Sequence, residues 1–261
     1  MTSDRMLTIA RGMVAALASA GMLACTDTPT TPTTPTSQAT ASAPSAQLKR
    51  TKFMAFGDSI TAGEITLPVT NSLTGFPSFK TIQVLSAAYP TVLNSMLKAR
   101  YPSQASVIFV ANAGLGADKA EYAMERFDAA FDLYRPDAVL LMEGYNDICC
   151  GNNEVGVRKA EIGLSDAAAD ARNRGARVFI ATLAPSKPGS RSTPLNIVQS
   201  ANERIQVVAR GEGAYLVDVY SALLPEVATN IGIDGLHPTE IGYQRIAEAF
   251  LAAIRADLEV R

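Results

Sequence analysis

From about residue 49 onward, short continuous apolar runs alternate with longer stretches in which apolar residues recur every three or four positions. The runs Lys52 to Phe56, Ser106 to Val110, Ala138 to Met142, Arg177 to Thr182 and Ala214 to Asp218 predict strands. Their largely unbroken apolar character marks strands covered on both faces. Helical spacing appears near 90–100, 119–133, 154–174 and 197–210. A last helix is predicted over Thr239 to Leu258, with Ile241, Ile246, Phe250 and Ile254 on its buried face and Pro238 just before its start. Strand and helix in strict alternation, joined by right-handed crossovers, predict an α/β fold. The expected form is a three-layer α/β/α sandwich, flavodoxin-like, with a mostly parallel five-stranded sheet whose ligands bind at the carboxyl ends of the strands.

Two segments ahead of this pattern break it. Residues 1–25 carry Arg5 and Arg11, then a short apolar, small-residue run ending at Cys25. That is the layout of an export signal, and it is too short for a membrane-spanning helix. Met22-Leu23-Ala24-Cys25 resembles a bacterial lipoprotein cleavage box, although Met22 replaces the usual leucine. The expectation is an exported protein, either anchored to a membrane by lipid on Cys25 or simply cleaved and secreted. Residues 26–48 are rich in Thr and Pro and hold almost nothing that packs, which predicts an extended, solvated linker. The folded domain is expected over 49–261.

Composition narrows the partners. Lys plus Arg number 23 against 25 Asp plus Glu, a net charge of -2. No basic footprint for nucleic acid or an anionic membrane exists, so the expected partner is a small molecule and the default state a monomer. Beyond Cys25 only Cys149 and Cys150 remain, and sequence neighbours join only as a strained ring. No disulfide framework or zinc spacing is present, and no metal is expected.

The candidate chemistry clusters at the predicted strand ends. Gly57-Asp58-Ser59 follows the first strand directly. A serine hydroxyl needs a base to become a nucleophile, and the chain has one histidine, His237, with Asp234 three residues upstream. One loop then presents both base and orienter, Asp234 holding the Nδ1 proton while Nε2 faces the serine. Asn146, after the third strand, offers a side-chain amide for an oxyanion or acts as a capping residue. Asn112-Ala113-Gly114-Leu115-Gly116 follows the second strand. Asp58, Asp147 and Asp218 read as turn or cap residues, and Tyr145 either lines a pocket or packs.

Together, in this order, Gly-Asp-Ser, Asn-x-Gly, Gly-x-Asn-Asp and Asp-x-x-His-Pro resemble the blocks of the SGNH or GDSL hydrolase family over Lys52 to Leu258. The resemblance implies ester hydrolysis through an acyl-enzyme without metal or organic cofactor. It implies Ser59 as nucleophile, His237 as base, Asp234 as orienter, and an oxyanion held by the Ser59 N–H, the Asn146 side chain and one N–H of the second block. The family's oxyanion glycine lies five residues after the asparagine of that block, which here is Ala117, with Gly116 one place early. Either residue is a candidate donor.

The segment Glu64 to Lys80 is longer than a usual strand-to-helix connection and is expected to shape the substrate pocket. Substrate classes left open are short-chain or aryl esters, lysophospholipids and acetylated carbohydrates. The rival from another class is a surface binding module on the same fold without catalysis. A flavin or nucleotide protein is disfavoured, because no glycine-rich phosphate fingerprint follows the first strand.

Overall fold

The computed structural model describes residues 46–70, 77–149 and 154–260. The expected signal segment, Cys25, the linker up to residue 45, and Cys150 lie outside the described residues. In chain order the elements begin with β1 (Gln47–Leu48), β2 (Lys52–Gly57), α1 (Ser59–Ala62), β3 (Glu64–Thr70), β4 (Pro77–Gln83) and α2 (Tyr89–Arg100). Next come β5 (Phe109–Gly114), α3 (Met124–Tyr134), β6 (Ala138–Met142), α4 (Tyr145–Ile148), α5 (Glu154–Asn173) and β7 (Arg177–Ala181). The chain continues with α6 (Leu195–Gly211), β8 (Tyr215–Val217), α7 (Val219–Leu223), α8 (Val227–Asn230), α9 (Glu240–Leu258) and β9 (Glu259–Val260).

The central sheet runs β5-β2-β6-β7-β8, every neighbouring pair parallel. In order of appearance this is 2-1-3-4-5, the flavodoxin-like arrangement, and its switch point falls between β2 and β6. Helices α2 and α9 pack together on one face, while α3, α5 and α6 cover the other. Each layer has an aromatic anchor. Tyr89 of α2 stacks on Phe250 of α9 at 5.1 Å, and Phe127 of α3 meets Phe56 of β2 edge-on at 5.0 Å. All four rings are buried, and full burial of such side chains contributes about 1.5–3 kcal/mol each.

Several expectations shift. The second strand is Phe109–Gly114 rather than Ser106 to Val110, because residues 105–107 close a turn after α2 and β5 pairs with β2 from Phe109 onward. Asn112 and Gly114 are therefore strand residues. The presumed linker ends earlier than 48: Gln47 and Leu48 pair antiparallel with β9, burying Leu48. Segment 64–80 is no open connection but the hairpin β3-β4, in register from Glu64↔Gln83 to Thr70↔Pro77. In α9 Ile241 is exposed. Tyr243 instead leads the buried face, its hydroxyl donating to the Glu64 carbonyl at 2.6 Å.

Candidate active site

β2 ends at Gly57 and the chain turns at once into α1, capped by the Asp58 carboxylate, which accepts from the Ile60 N–H at 2.9 Å. Ser59 therefore stands at the carboxyl edge of the sheet beside the switch point. Far along the chain, the loop 232–238 returns there. It is pinned by the Gly232 N–H to His237 carbonyl bond of 2.7 Å and by the Ile231↔Pro238 bridge. Gly235 holds φ +87°, and a Cβ there would lie 2.3 Å from the Lys187 carbonyl, so only glycine fits this corner without strain.

The folded loop brings the three predicted residues into one row. His237 Nε2 lies 2.9 Å from Ser59 Oγ, and His237 Nδ1 lies 2.6 Å from Asp234 Oδ2. All three are buried. The other Asp234 oxygen accepts from the backbone N–H of Leu236 and of His237, both at 3.1 Å. Burial pushes the Asp234 carboxyl up, but the bonds from His237 and these amides outweigh it and hold the group below its usual range. A carboxylate kept ionised there fixes the Nδ1–H tautomer and leaves Nε2 as acceptor for the serine proton.

Asn146, in α4 at the end of β6, donates from Nδ2 to the Asp118 carbonyl at 2.8 Å, and its second amide hydrogen remains for the cavity. Gly116 and Ala117 both line that cavity, of about 340 Å³, with Ser59, Asn146, Glu64, Cys149, Arg191 and His237. Ala117 has φ +62°, the left-handed region that favours glycine. That conformation gives a physical reason for the family's glycine at this place. Tyr145 does not line the cavity but is buried, its hydroxyl donating to the Ala184 carbonyl. Asp218 caps α7 as expected, accepting from the Ser221 N–H at 3.0 Å. Asp147 ends no strand and caps nothing of its own. It accepts from the Ala120 and Glu121 amides at 2.9 and 3.1 Å, tying α4 to the end of the turn that carries Gly116 and Ala117.

Sequence reasoning missed a charged knot beneath the site. Arg126 of α3 lies over the Phe56 ring at 3.8 Å and donates to Asp118, to the Gly57 and Ala113 carbonyls, and to Glu143 at 3.3 Å. It thereby ties the ends of β2 and β5 and the Asp118 turn to Glu143 just past β6. Burial, reinforced by the charges of Asp58 and Asp118, raises the Glu143 carboxyl well above its ordinary range, and burial, helped by Asp118 and Asp147 against the Ile60 amide and His237, brings Asp58 to about 7. A charge directly after the apolar run Ala138–Met142 was the one available signal for Glu143. Arg191, in the connection after β7, was also missed. Its N–H donates to the Asp234 carbonyl at 2.9 Å, and Nη1 lies 3.5 Å from His237 Nδ1 and 3.7 Å from Asp234 Oδ2. Among the described residues no cluster of three or more His, Cys, Asp or Glu side chains is arranged to hold a metal ion.

An open parallel sheet with this row of side chains at its carboxyl edge has the architecture of a carboxylic ester hydrolase. The sequence supplies the particular lineage: residues 55–245 match the model of the GDSL-like Lipase/Acylhydrolase family, and the chain belongs to it. Among solved structures it resembles a lipase/acylhydrolase from Enterococcus faecalis, with TM-score 0.62 and 21% identity over 80% of this chain and 97% of that one. An α/β hydrolase from the metagenome of Lake Arreo, Spain, follows with TM-score 0.61 and 24% identity over 78% and 94%. An acetylxylan esterase from Geobacillus stearothermophilus gives TM-score 0.60 and 19% identity over 78% and 94%. At these identities the likeness establishes the fold. No curated protein matches the sequence.

Proposed function

We propose that the protein hydrolyses carboxylic esters through Ser59, His237 and Asp234. The carrying observation is the continuous row from Ser59 Oγ through the imidazole to Asp234. As Ser59 Oγ attacks the carbonyl carbon, its proton passes to His237 Nε2. Asp234 stabilises the imidazolium without taking a proton. The oxyanion is received by the Ser59 N–H, the Asn146 amide and the N–H of Ala117 or Gly116. Collapse breaks the bond to the alcohol, which takes the proton from Nε2. Water then repeats the sequence and frees the acid.

The substrates proposed are short-chain or aryl esters or lysophospholipid-like esters. A carbohydrate O-acetyl ester is the second reading, favoured by a cavity of limited volume whose wall carries the charged Glu64 and Arg191. Export, with lipid on Cys25 as the membrane anchor, belongs to the same reading, as does a monomeric state. The deciding experiment is turnover of p-nitrophenyl acetate, butyrate and octanoate by wild type, Ser59→Ala, His237→Ala and Asn146→Ala. Both triad variants are expected to lose turnover, and Asn146→Ala to lose a factor on the order of 10²–10³ in kcat. Wild-type rates no higher than those of Ser59→Ala, on these esters and on acetylated xylan, would leave the binding module as the better account.

A further inference from the structure

Five residues beyond the nucleophile stands a carboxylate that the row of three does not use. Glu64 opens β3 directly after Gly63, which ends α1. Its backbone is held firmly: the carbonyl accepts from the buried Tyr243 hydroxyl at 2.6 Å, and the residue pairs with Gln83 across the hairpin. The side chain therefore leaves from a rigid backbone. It is one-quarter exposed, and Oε2 lies 3.7 Å from His237 Nε2, the nitrogen that faces Ser59. It lies against the bare backbone of Gly116, where a Cβ would stand 2.4 Å from Glu64 Oε1 and push the carboxylate aside. Among the described residues no lysine or arginine pairs with it. Arg191, the cavity's other charge, sits on the Nδ1 side of the ring against Asp234.

We propose that Glu64 is a specificity-determining residue that makes the site select esters whose alcohol carries free hydroxyl groups and reject those whose alcohol is anionic. The inference rests on the Ser59–His237 reading above. Nε2 delivers its proton to the leaving alcohol, so a group beside Nε2 borders the alcohol half of the substrate. There a carboxylate with no lysine or arginine partner among the described residues accepts hydrogen bonds from a polyol or sugar, and such charge-assisted bonds are about twice as strong as neutral ones. An apolar alcohol strips water from Glu64 and returns nothing, and a carboxylate or phosphate on the alcohol meets like charge at short range. Within the proposed substrates this favours glycerol-like and carbohydrate esters over lysophospholipids.

The test holds the acyl group at acetyl and varies the alcohol. Glycerol monoacetate is compared with propyl acetate, and acetylsalicylate with phenyl acetate, for wild type, Glu64→Gln and Glu64→Met. Wild type is expected to prefer glycerol monoacetate by about tenfold in kcat/KM and to discriminate against acetylsalicylate. Glu64→Met, whose thioether is only a weak acceptor, abolishes the first preference. The near-isosteric Glu64→Gln, which loses only the charge, relieves the second. Labelling of Ser59 by a fluorophosphonate reports an intact nucleophile in each protein. Ratios that stay as in wild type while Ser59 still labels overturn the inference, whatever happens to absolute rates. Absence of both labelling and turnover in wild type is a different result: it removes the ester-hydrolysing reading, and this inference with it.

Discussion

Replacing Arg126 by methionine keeps much of the packing on Phe56 and removes the charge that ties the strand ends together. Glu143 is almost fully buried, and Arg126 is its ion-pair partner. Breaking a buried ion pair by deleting one partner costs about 3–5 kcal/mol. Two facts place this case at the lower end. Arg126 itself is one-quarter exposed, and Glu143, already raised well above its ordinary range, takes up a proton instead of carrying a naked charge. The expected loss is about 3 kcal/mol, read as a fall in urea midpoint of roughly 1 M with unchanged slope. Adding Glu143→Met removes the stranded acid, so the double variant is expected to be more stable than the two single losses added together predict. Activity falls as well, because Arg126 holds Asp118, whose carbonyl receives the Asn146 amide. A loss below about 1 kcal/mol, or strictly additive losses, would refute the view that this guanidinium neutralises Glu143.

Ala117→Gly removes left-handed strain worth about 1–2 kcal/mol and adds about 0.5–1 kcal/mol of chain entropy. Thermal unfolding is therefore expected to shift slightly upward, and a clear loss of stability would contradict the assigned conformation. A second expectation concerns pH. Asp58 titrates near 7 when folded and near 3.8 when unfolded, so between those values the native state holds the extra proton. Its contribution is full below about pH 4 and is lost as pH rises toward 7. The groups acting on it are Asp118, Asp147 and His237, with Glu143 shifted in the same direction. Asp58→Asn, which mimics the protonated acid and keeps the acceptor for Ile60, is expected to flatten this decline in urea unfolding measured across the range. Identical pH slopes in the two proteins would sink the assignment.

Much of the sheet was legible because doubly covered strands are continuous apolar runs, as Ala138–Met142 shows. β5 was misplaced for the opposite reason. It is an edge strand with Phe109 half exposed and polar Asn112 inside it, so no clean run marks its bounds. The hairpin β3-β4 carries Pro68 and Pro77 and stands outside the main sheet, where strand periodicity is weak. Helical spacing located α9 and the face that buries Ile246, Phe250 and Ile254, and failed only in the first turn, where Tyr243 rather than Ile241 turns inward to bond the Glu64 carbonyl. At the site, Ser59, Asp234 and His237 were readable because each sits in a short local motif. Arg126 and Glu143 meet across 17 residues, and Glu64 and Arg191 reach His237 and its loop from more than 40 residues away, so nothing in their immediate neighbours encodes such meetings.

The ribbon formed by Gln47–Leu48 and Glu259–Val260 has a directional consequence. It precedes the start of β2, whereas Ser59 lies just past that strand's other end, six residues on. At about 3.3 Å per residue the two poles stand roughly 20 Å apart. Any attachment made through either end of the domain, whether to a bead, a fusion partner or a surface, leaves from the pole opposite the mouth. The cavity then looks outward into solution, and because both ends depart side by side, a short peptide joining them is expected to leave the mouth untouched.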